Sequence, residues 1–141
     1  MRTSARNVFP GTVTKLTRGA VNAEVELTLD KGERIIAIIT NVSVEALGLS
    51  VGIKATALIK ASWIVIGKDL EHARLSTRNV MPGTVDGVQQ GAVNSEVILK
   101  LDGGTLLAAI VTNASVRSLK LNAGEEAFAA FKASHVILAV E

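Results

Sequence analysis

The chain has no cysteine and no tyrosine, and its 141 residues include only one Trp and three Phe. Lack of cysteine excludes disulfides, Cys–zinc sites and thiol catalysis. The four aromatics (Phe9, Trp63, Phe128 and Phe131) are too few to form the stacking platforms that single-stranded nucleic-acid binders set along a basic groove. Charge of one sign is scarce as well: 15 Lys and Arg stand against 13 Asp and Glu, a net charge of +2. The sequence pI of about 9.2 overstates this, because no Cys or Tyr titrates between neutrality and that value. No apolar run reaches the roughly 18 residues of a membrane span. The opening Met1-Arg2-Thr3-Ser4-Ala5-Arg6-Asn7 lacks the apolar core of a secretory signal. A soluble cytoplasmic protein with no membrane partner is the expectation.

What is present is an internal repeat. Ser4-Ala5-Arg6-Asn7-Val8-Phe9-Pro10-Gly11-Thr12-Val13 returns as Ser76-Thr77-Arg78-Asn79-Val80-Met81-Pro82-Gly83-Thr84-Val85. Gly19-Ala20-Val21-Asn22-Ala23-Glu24-Val25 returns as Gly91-Ala92-Val93-Asn94-Ser95-Glu96-Val97. Thr40-Asn41-Val42-Ser43-Val44 returns as Thr112-Asn113-Ala114-Ser115-Val116, and Lys60-Ala61-Ser62 as Lys132-Ala133-Ser134. Every match has the same offset of 72 without a gap. The chain is therefore two copies of one small domain, 2–68 and 74–140, joined by a linker at 69–73.

Each copy reads as five strands and a short helix, βββαββ. Asn7–Leu16 bends at Pro10-Gly11, which a strand edge or bulge tolerates. Asn22–Asp30 alternates, with Ala23, Val25, Leu27 and Leu29 on one face and Glu24, Glu26 and Thr28 on the other. Asp30-Lys31-Gly32 and Asp102-Gly103-Gly104 suit a hairpin into Arg34–Ile39 and its counterpart. Asn41 to Gly48 offers cap residues, one or two helical turns and a terminating glycine. Lys54–Lys60 and Trp63–Ile66 complete the unit. The fold class expected is mainly β: two tandem OB-like Greek-key barrels with one short helix per repeat. Ile35–Ile39, Trp63–Ile66 and Val136–Val140 are apolar on both faces. A barrel has one inside, so the second face calls for the other repeat or for self-association.

Enzyme templates fail on these residues. His72 lies in the linker and His135 stands where the first repeat has Trp63, so neither belongs to shared machinery, and no nucleophile–His–acid set can be built within a repeat. Glu24/Glu96 and Asp30/Asp102 lie on a polar strand face and at a turn, where acids are solvated. Metal-cation sites lack clustered His or carboxylates. Both repeats instead keep donors: Ser4/Ser76 and Arg6/Arg78 before the first strand, Thr40/Thr112 and Ser43/Ser115 around the helix start, and Lys60-Ala61-Ser62/Lys132-Ala133-Ser134 between the last strands. Hydroxyl, guanidinium and ammonium groups are what an oxyanion accepts from. A second set, Gly19-Ala20-Val21-Asn22 and Gly91-Ala92-Val93-Asn94, can aim backbone N–H groups into a concave nest. Each residue alone also has an ordinary use, as cap, turn or solvated charge. Exposed positions such as Thr14/Asp86, Lys15/Gly87 and Arg18/Gln90 changed between copies while the donors did not. The residues by themselves leave both readings open.

These segments resemble the Mop family, the molbindins or molybdenum-pterin-binding proteins. Ser-Ala-Arg-Asn, Gly-Ala-Val-Asn-Ala-Glu-Val, Ile-Thr-Asn-x-Ser-Val, Leu-Gly-Leu and Leu-Ile-Lys-Ala-Ser follow that family's pattern, and two copies cover almost the entire chain, as in its two-repeat cytoplasmic members. The resemblance implies an OB-like fold and non-catalytic binding of molybdate, with tungstate as analogue, for molybdenum storage or homeostasis. It implies a homotrimer with a pseudo-hexameric ring of domains and the binding module alone, without a winged helix-turn-helix or a Walker loop. One class of interface site would use Ser4, Arg6, Thr40, Ser43, Lys60, Ala61 and Ser62 with Ser76, Arg78, Thr112, Ser115, Lys132, Ala133 and Ser134, drawing its Arg and Lys ends from different domains. An axial class would use Gly19, Ala20, Val21 and Asn22 with Gly91, Ala92, Val93 and Asn94. Ala5 to Thr77, Gly48 to Lys120, Ala23 to Ser95 and Trp63 to His135 are departures that bear on whether the two repeats bind equally.

The chemistry agrees with that ligand class. Molybdate is a tetrahedral dianion that only accepts hydrogen bonds, whereas phosphate near neutrality keeps a proton and wants an acceptor. Sulfate accepts too but is smaller, so cavity size must reject it. Two other readings remain: a single-stranded nucleic-acid-binding OB protein, and a ring scaffold with incidental anion sites.

Overall fold

The computed structural model describes residues 1–141. The first half runs β1 (Asn7–Arg18), β2 (Asn22–Leu29), β3 (Arg34–Thr40), helix α1 (Asn41–Leu47), β4 (Lys54–Ile59), a 3-10 turn (Ala61–Trp63) and β5 (Val65–Gly67). After a 3-10 turn at Leu70–His72, the second half runs β6 (Asn79–Gln90), β7 (Asn94–Leu101), β8 (Leu106–Thr112), helix α2 (Asn113–Ser118), β9 (Glu126–Phe131), a 3-10 turn (Ala133–His135) and β10 (Ile137–Ala139). The chain is thus mainly β with one short helix per repeat, in the βββαββ order expected. The strand ends differ from the sequence reading by one or two residues: β1 runs on to Arg18, β2 stops at Leu29, β3 reaches Thr40 and β4 stops at Ile59, while Trp63 belongs to the 3-10 turn and the last strand begins at Val65.

The strands form two five-stranded antiparallel sheets, ordered β10-β4-β1-β2-β3 and β5-β9-β6-β7-β8. Each sheet therefore takes its edge strand from the other repeat. Ile137, Leu138 and Ala139 oppose Leu58, Ala57 and Thr56, while Val65, Ile66 and Gly67 oppose Ala130, Ala129 and Phe128. The compact units are residues 1–59 with 132–141, and residues 60–131. The sequence repeats and these units share most residues but trade their last strands. The local cause is visible at the turn. Lys60 and Ile64 flank it in extended conformation, so a single 3-10 turn redirects the chain where a hairpin would reverse it.

Within each unit the period-two pattern sets the core. Ala23, Val25, Leu27 and Leu29 are buried in the first unit, and Ser95, Val97, Leu99 and Leu101 in the second. The sheets curl, so that the turn Ala133–His135 packs against β3 in the first unit and Ala61–Trp63 against β8 in the second. The long first strand passes through Pro10 because β2 pairs only from Gly11 onward, which leaves an open side for a ring without an N–H. A side chain at Gly11 or Gly83 would run into the backbone of β2 or β7. Val65 and Ile137, on the outer face of the exchanged strands, stay exposed.

Two differences between the units are stability tests supplied by the duplication. Gly48 caps α1 in the left-handed region at φ 62°, but Lys120 at the equivalent place adopts φ 53° with a side chain present. Lys120→Gly should raise stability by about 1 kcal/mol, read from the urea midpoint. In the second pair, Gly67 lies under the Phe128 ring, whereas Ala139 faces Thr56. Gly67→Ala should cost about 1–3 kcal/mol in the native background and much less beside Phe128→Thr, a non-additivity that a double-mutant cycle in urea measures.

Candidate functional site

The Gly19–Asn22 segment and the start of α1 form one rim at the end of the first sheet. Asn22 pairs with Thr40 as the last rung of the β2–β3 ladder. The Gly19 N–H donates to the Asn22 carbonyl at 2.7 Å and closes the turn. Asn41 then pins it twice, its backbone N–H donating to the Val21 carbonyl at 2.8 Å and its Nδ2 to the Gly19 carbonyl at 2.9 Å. The second unit repeats this through Asn113, with 2.8 Å to Val93 and 2.9 Å to Gly91. All four residues of each turn are exposed. The carbonyls of Gly19 and Val21 are consumed by Asn41, and the N–H groups of Ala20 and Val21 make no hydrogen bond within the chain. That polarity presents donors outward, as an anion nest requires.

Asn41 and Asn113 were absent from the candidate set, although both sit inside the retained Thr-Asn-x-Ser segment. Retention was the available signal, but the pinning role required knowing that the turn folds over the helix start.

Thr40 serves as the N-cap of α1. Its Oγ1 accepts from the Ser43 N–H at 3.0 Å and donates its own proton to Ser43 Oγ at 2.9 Å. Thr112 and Ser115 repeat the arrangement at 3.1 and 2.9 Å. The cap use is therefore real, and it has a chemical consequence. With Thr40 committed to Ser43, the Ser43 hydroxyl proton is the one left to give onward.

The arginine lies at the opposite end of β1 from the Gly19 turn, where β1 pairs with β4. Ser4 and Arg6 immediately precede β1, where Asn7 is buried, opposes Ile59 and donates from Nδ2 to its carbonyl at 3.1 Å. In the first unit, the Lys132-Ala133-Ser134 segment leads into β10, whose Ile137 opposes Leu58 near the same end of the sheet. Ala133 is buried while Lys132 and Ser134 are exposed, and Ala61 is buried between exposed Lys60 and Ser62 in the second unit. The small central residue seats the turn, and the two polar ones project. Strand exchange thus gives the first unit Ser4, Arg6, Thr40 and Ser43 with Lys132, Ala133 and Ser134. The second unit holds Ser76, Arg78, Thr112 and Ser115 with Lys60, Ala61 and Ser62. Each unit combines the arginine of one repeat with the lysine of the other.

No group of three or more His, Asp or Glu is placed to hold a metal ion. His72 is exposed and lies 3.8 Å from Glu71. A concavity of about 640 Å³ in the second unit is lined by Asp69, Glu71, Asp102, Glu125 and Glu126, and its one cation, Lys68, is paired with Glu125 at 3.2 Å. Such a lining repels an anion. Phe9, Phe128 and Phe131 are buried, which removes three of the four aromatics as stacking platforms. No helix is long and apolar enough to cross a membrane.

Comparison with known proteins places these residues in context. A TOBE-domain model matches residues 3–66 and 75–138. The molybdenum-pterin-binding protein MopA of Rhodobacter capsulatus is 45% identical over 140 residues, which are 99% of this chain and 53% of MopA. The molybdenum transport protein ModE of Herbaspirillum seropedicae is 40% identical over 141 residues, all of this chain and 52% of ModE. The chain spans about half the length of these curated relatives. A crystal structure of the cytoplasmic molybdate-binding protein ModG with molybdate bound superposes with a TM-score of 0.95 at 46% identity, covering 100% of both chains.

One polar detail of the rim is testable now. Asn113 Oδ1 accepts from the Ser95 hydroxyl at 2.5 Å, whereas Asn41 Oδ1 is buried without a partner because Ala23 stands at the equivalent place. Ala23→Ser should stabilise the first unit by about 1 kcal/mol, and Ser95→Ala should destabilise the second by a similar amount. Urea unfolding of both variants checks the sign.

Proposed function

The chain belongs to the TOBE-domain family, and from that premise we propose that it is a non-catalytic molybdate-binding protein of intracellular molybdenum storage or homeostasis. The observation that carries this reading is the end-to-end match to ModG, a protein solved with molybdate bound, at a TM-score of 0.95. The donor chemistry supports it. Hydroxyls, a guanidinium and an ammonium give hydrogen bonds to an oxyanion, and the candidate set contains no carboxylate to repel one or to accept a proton from phosphate. Tungstate, of nearly the same size and charge, binds the same groups.

The proposal places one class of site on Ser4, Arg6, Thr40, Ser43, Lys60, Ala61 and Ser62 with their second-repeat counterparts. The axial class uses the backbone of Gly19–Asn22 and Gly91–Asn94. Both form where copies of the chain meet, in a homotrimer with six pseudo-equivalent domains. Exposed Val21 and Val42 at the first rim, and Val93 at the second, are the apolar surface such an assembly would cover. The protein acts in the cytoplasm, without catalysis and without nucleic acid. A net charge of +2 and the buried phenylalanines speak against the nucleic-acid reading.

Calorimetry on the purified chain should show molybdate and tungstate binding at several sites per oligomer, with sulfate and phosphate giving no comparable heat. Replacing Lys60 and Lys132 together by Ala should weaken the interface class by roughly ten- to a hundredfold, the usual loss for a charged hydrogen bond. Equal response to all four anions would replace this reading with the scaffold one.

A further inference from the structure

The two lysine turns have the same backbone but different rings. Lys60 and Lys132 are both extended, at φ −67° and −74°, and the third residue of each turn donates its N–H back to the lysine carbonyl, at 3.0 Å from Trp63 and 2.9 Å from His135. This fold-back sets the side chain of the third residue beside the lysine stem. In the second unit the consequence is explicit: the Lys60 Nζ lies 5.6 Å from the centroid of the Trp63 ring. That is within the range of a cation–π contact, and Trp presents the strongest face for one. The ring is half-buried in a turn seated on β8, whereas the lysine is exposed. A fixed platform therefore holds a flexible cation.

We propose that Trp63 is a positioning residue for the Lys60 ammonium, and that His135 at the same place makes the two lysine sites unequal, the Lys60 site being the tighter. The inference rests on the molybdate-binding reading for its ligand but not for its geometry. An aromatic face is suited to the task where a carboxylate is not. It restricts the lysine without neutralising it, and it leaves the ammonium N–H groups for an incoming oxyanion. An exposed lysine otherwise loses its rotamer freedom when it binds, a cost that the platform meets in advance. Imidazole has a smaller ring and offers Lys132 less of a face. The retained Lys-Ala-Ser segment thus supplies the donor in both repeats, and the variable fourth residue grades it.

The first measurement needs no ligand. In the full-length chain, the methylene protons next to the Lys60 ammonium should show an upfield ring-current shift relative to those of Lys132. The shift should vanish in Trp63→His, persist in Trp63→Phe and appear at Lys132 in His135→Trp. Titration of molybdate should then resolve a tight and a weak lysine class, roughly three- to tenfold apart. Trp63→His should merge the classes by weakening the tight one, and His135→Trp should merge them by strengthening the weak one. Absence of the Lys60 shift overturns the proposal whatever binds. A Trp63→His chain that keeps both affinities overturns the positioning role. Absence of molybdate heat in the native chain, with the shift intact, overturns the molybdate reading and the unequal sites but upholds the placement of Lys60 by Trp63.

Discussion

The exchange of a three-residue edge strand is the constraint on which the rest of the structure depends. β10 completes the sheet begun by the first repeat, and β5 completes the sheet begun by the second. Neither strand is long enough to be stable alone, and each contributes one buried inward residue, Leu138 or Ile66, to the unit it joins. The exchange also moves chemistry. Since the lysine turn immediately precedes the exchanged strand, Lys132 travels into the unit that contains Arg6, and Lys60 into the unit that contains Arg78. A repeat that kept its own last strand would also keep its own lysine.

Much of the sheet was legible in the sequence because burial in a half-buried strand has a period of two. Ala23 to Leu29 is the clearest case: its alternation named the buried face residue by residue, and the structure buries those four. The helix was legible from the segment Asn41 to Gly48 with its terminating glycine, and the structure adds Thr40, one residue earlier, as the N-cap. The partner of the last strand was not legible. Val65-Ile66-Gly67 reads the same whether it pairs with β4 or with β9, because periodicity reports faces and not neighbours. Trp63 was misplaced for a related reason. An apolar residue beside a strand of apolar residues extends the pattern, and only the Trp63 N–H to Lys60 carbonyl bond reveals a turn. Of the candidate donors, the sequence supplied identities and the structure supplied company: Gly19–Asn22 stands with Thr40–Ser43, and the joining residue is Asn41.

The duplication also works as an internal control on which contacts matter to the fold. Phe128 in place of Thr56 is accommodated by Gly67 in place of Ala139, although the two members of each pair come from different repeats. Such a compensation has a physical reason only if the strands are exchanged as observed. Ser95 in place of Ala23 answers the Asn113 carbonyl oxygen that its counterpart Asn41 leaves buried and unanswered. By contrast, Lys120 in place of Gly48 has no such answer, and the backbone simply carries the strain. Two of these substitutions are matched by a neighbour and one is not, while the donor residues are the same in both copies.

That the donors are exposed bears directly on the proposed assembly. Ser4, Arg6, Thr40, Lys60 and Ser62 all lie on the surface of the single chain. A dianion leaving water loses solvation worth many kcal/mol, and donors on an open surface, themselves still hydrated, return little of it. The same groups become effective when a second surface closes over them, since each hydrogen bond strengthens as the surroundings dry. The rim has the composition that the proposed closure requires. Its turn offers unused N–H groups beside exposed Val21 and Val42, polar atoms for the ion next to apolar ones for the neighbouring chain. On this argument, ion and subunit are bound by the same surface. Occupancy and assembly are then thermodynamically linked, so the anion that fills the site also favours the oligomer that encloses it.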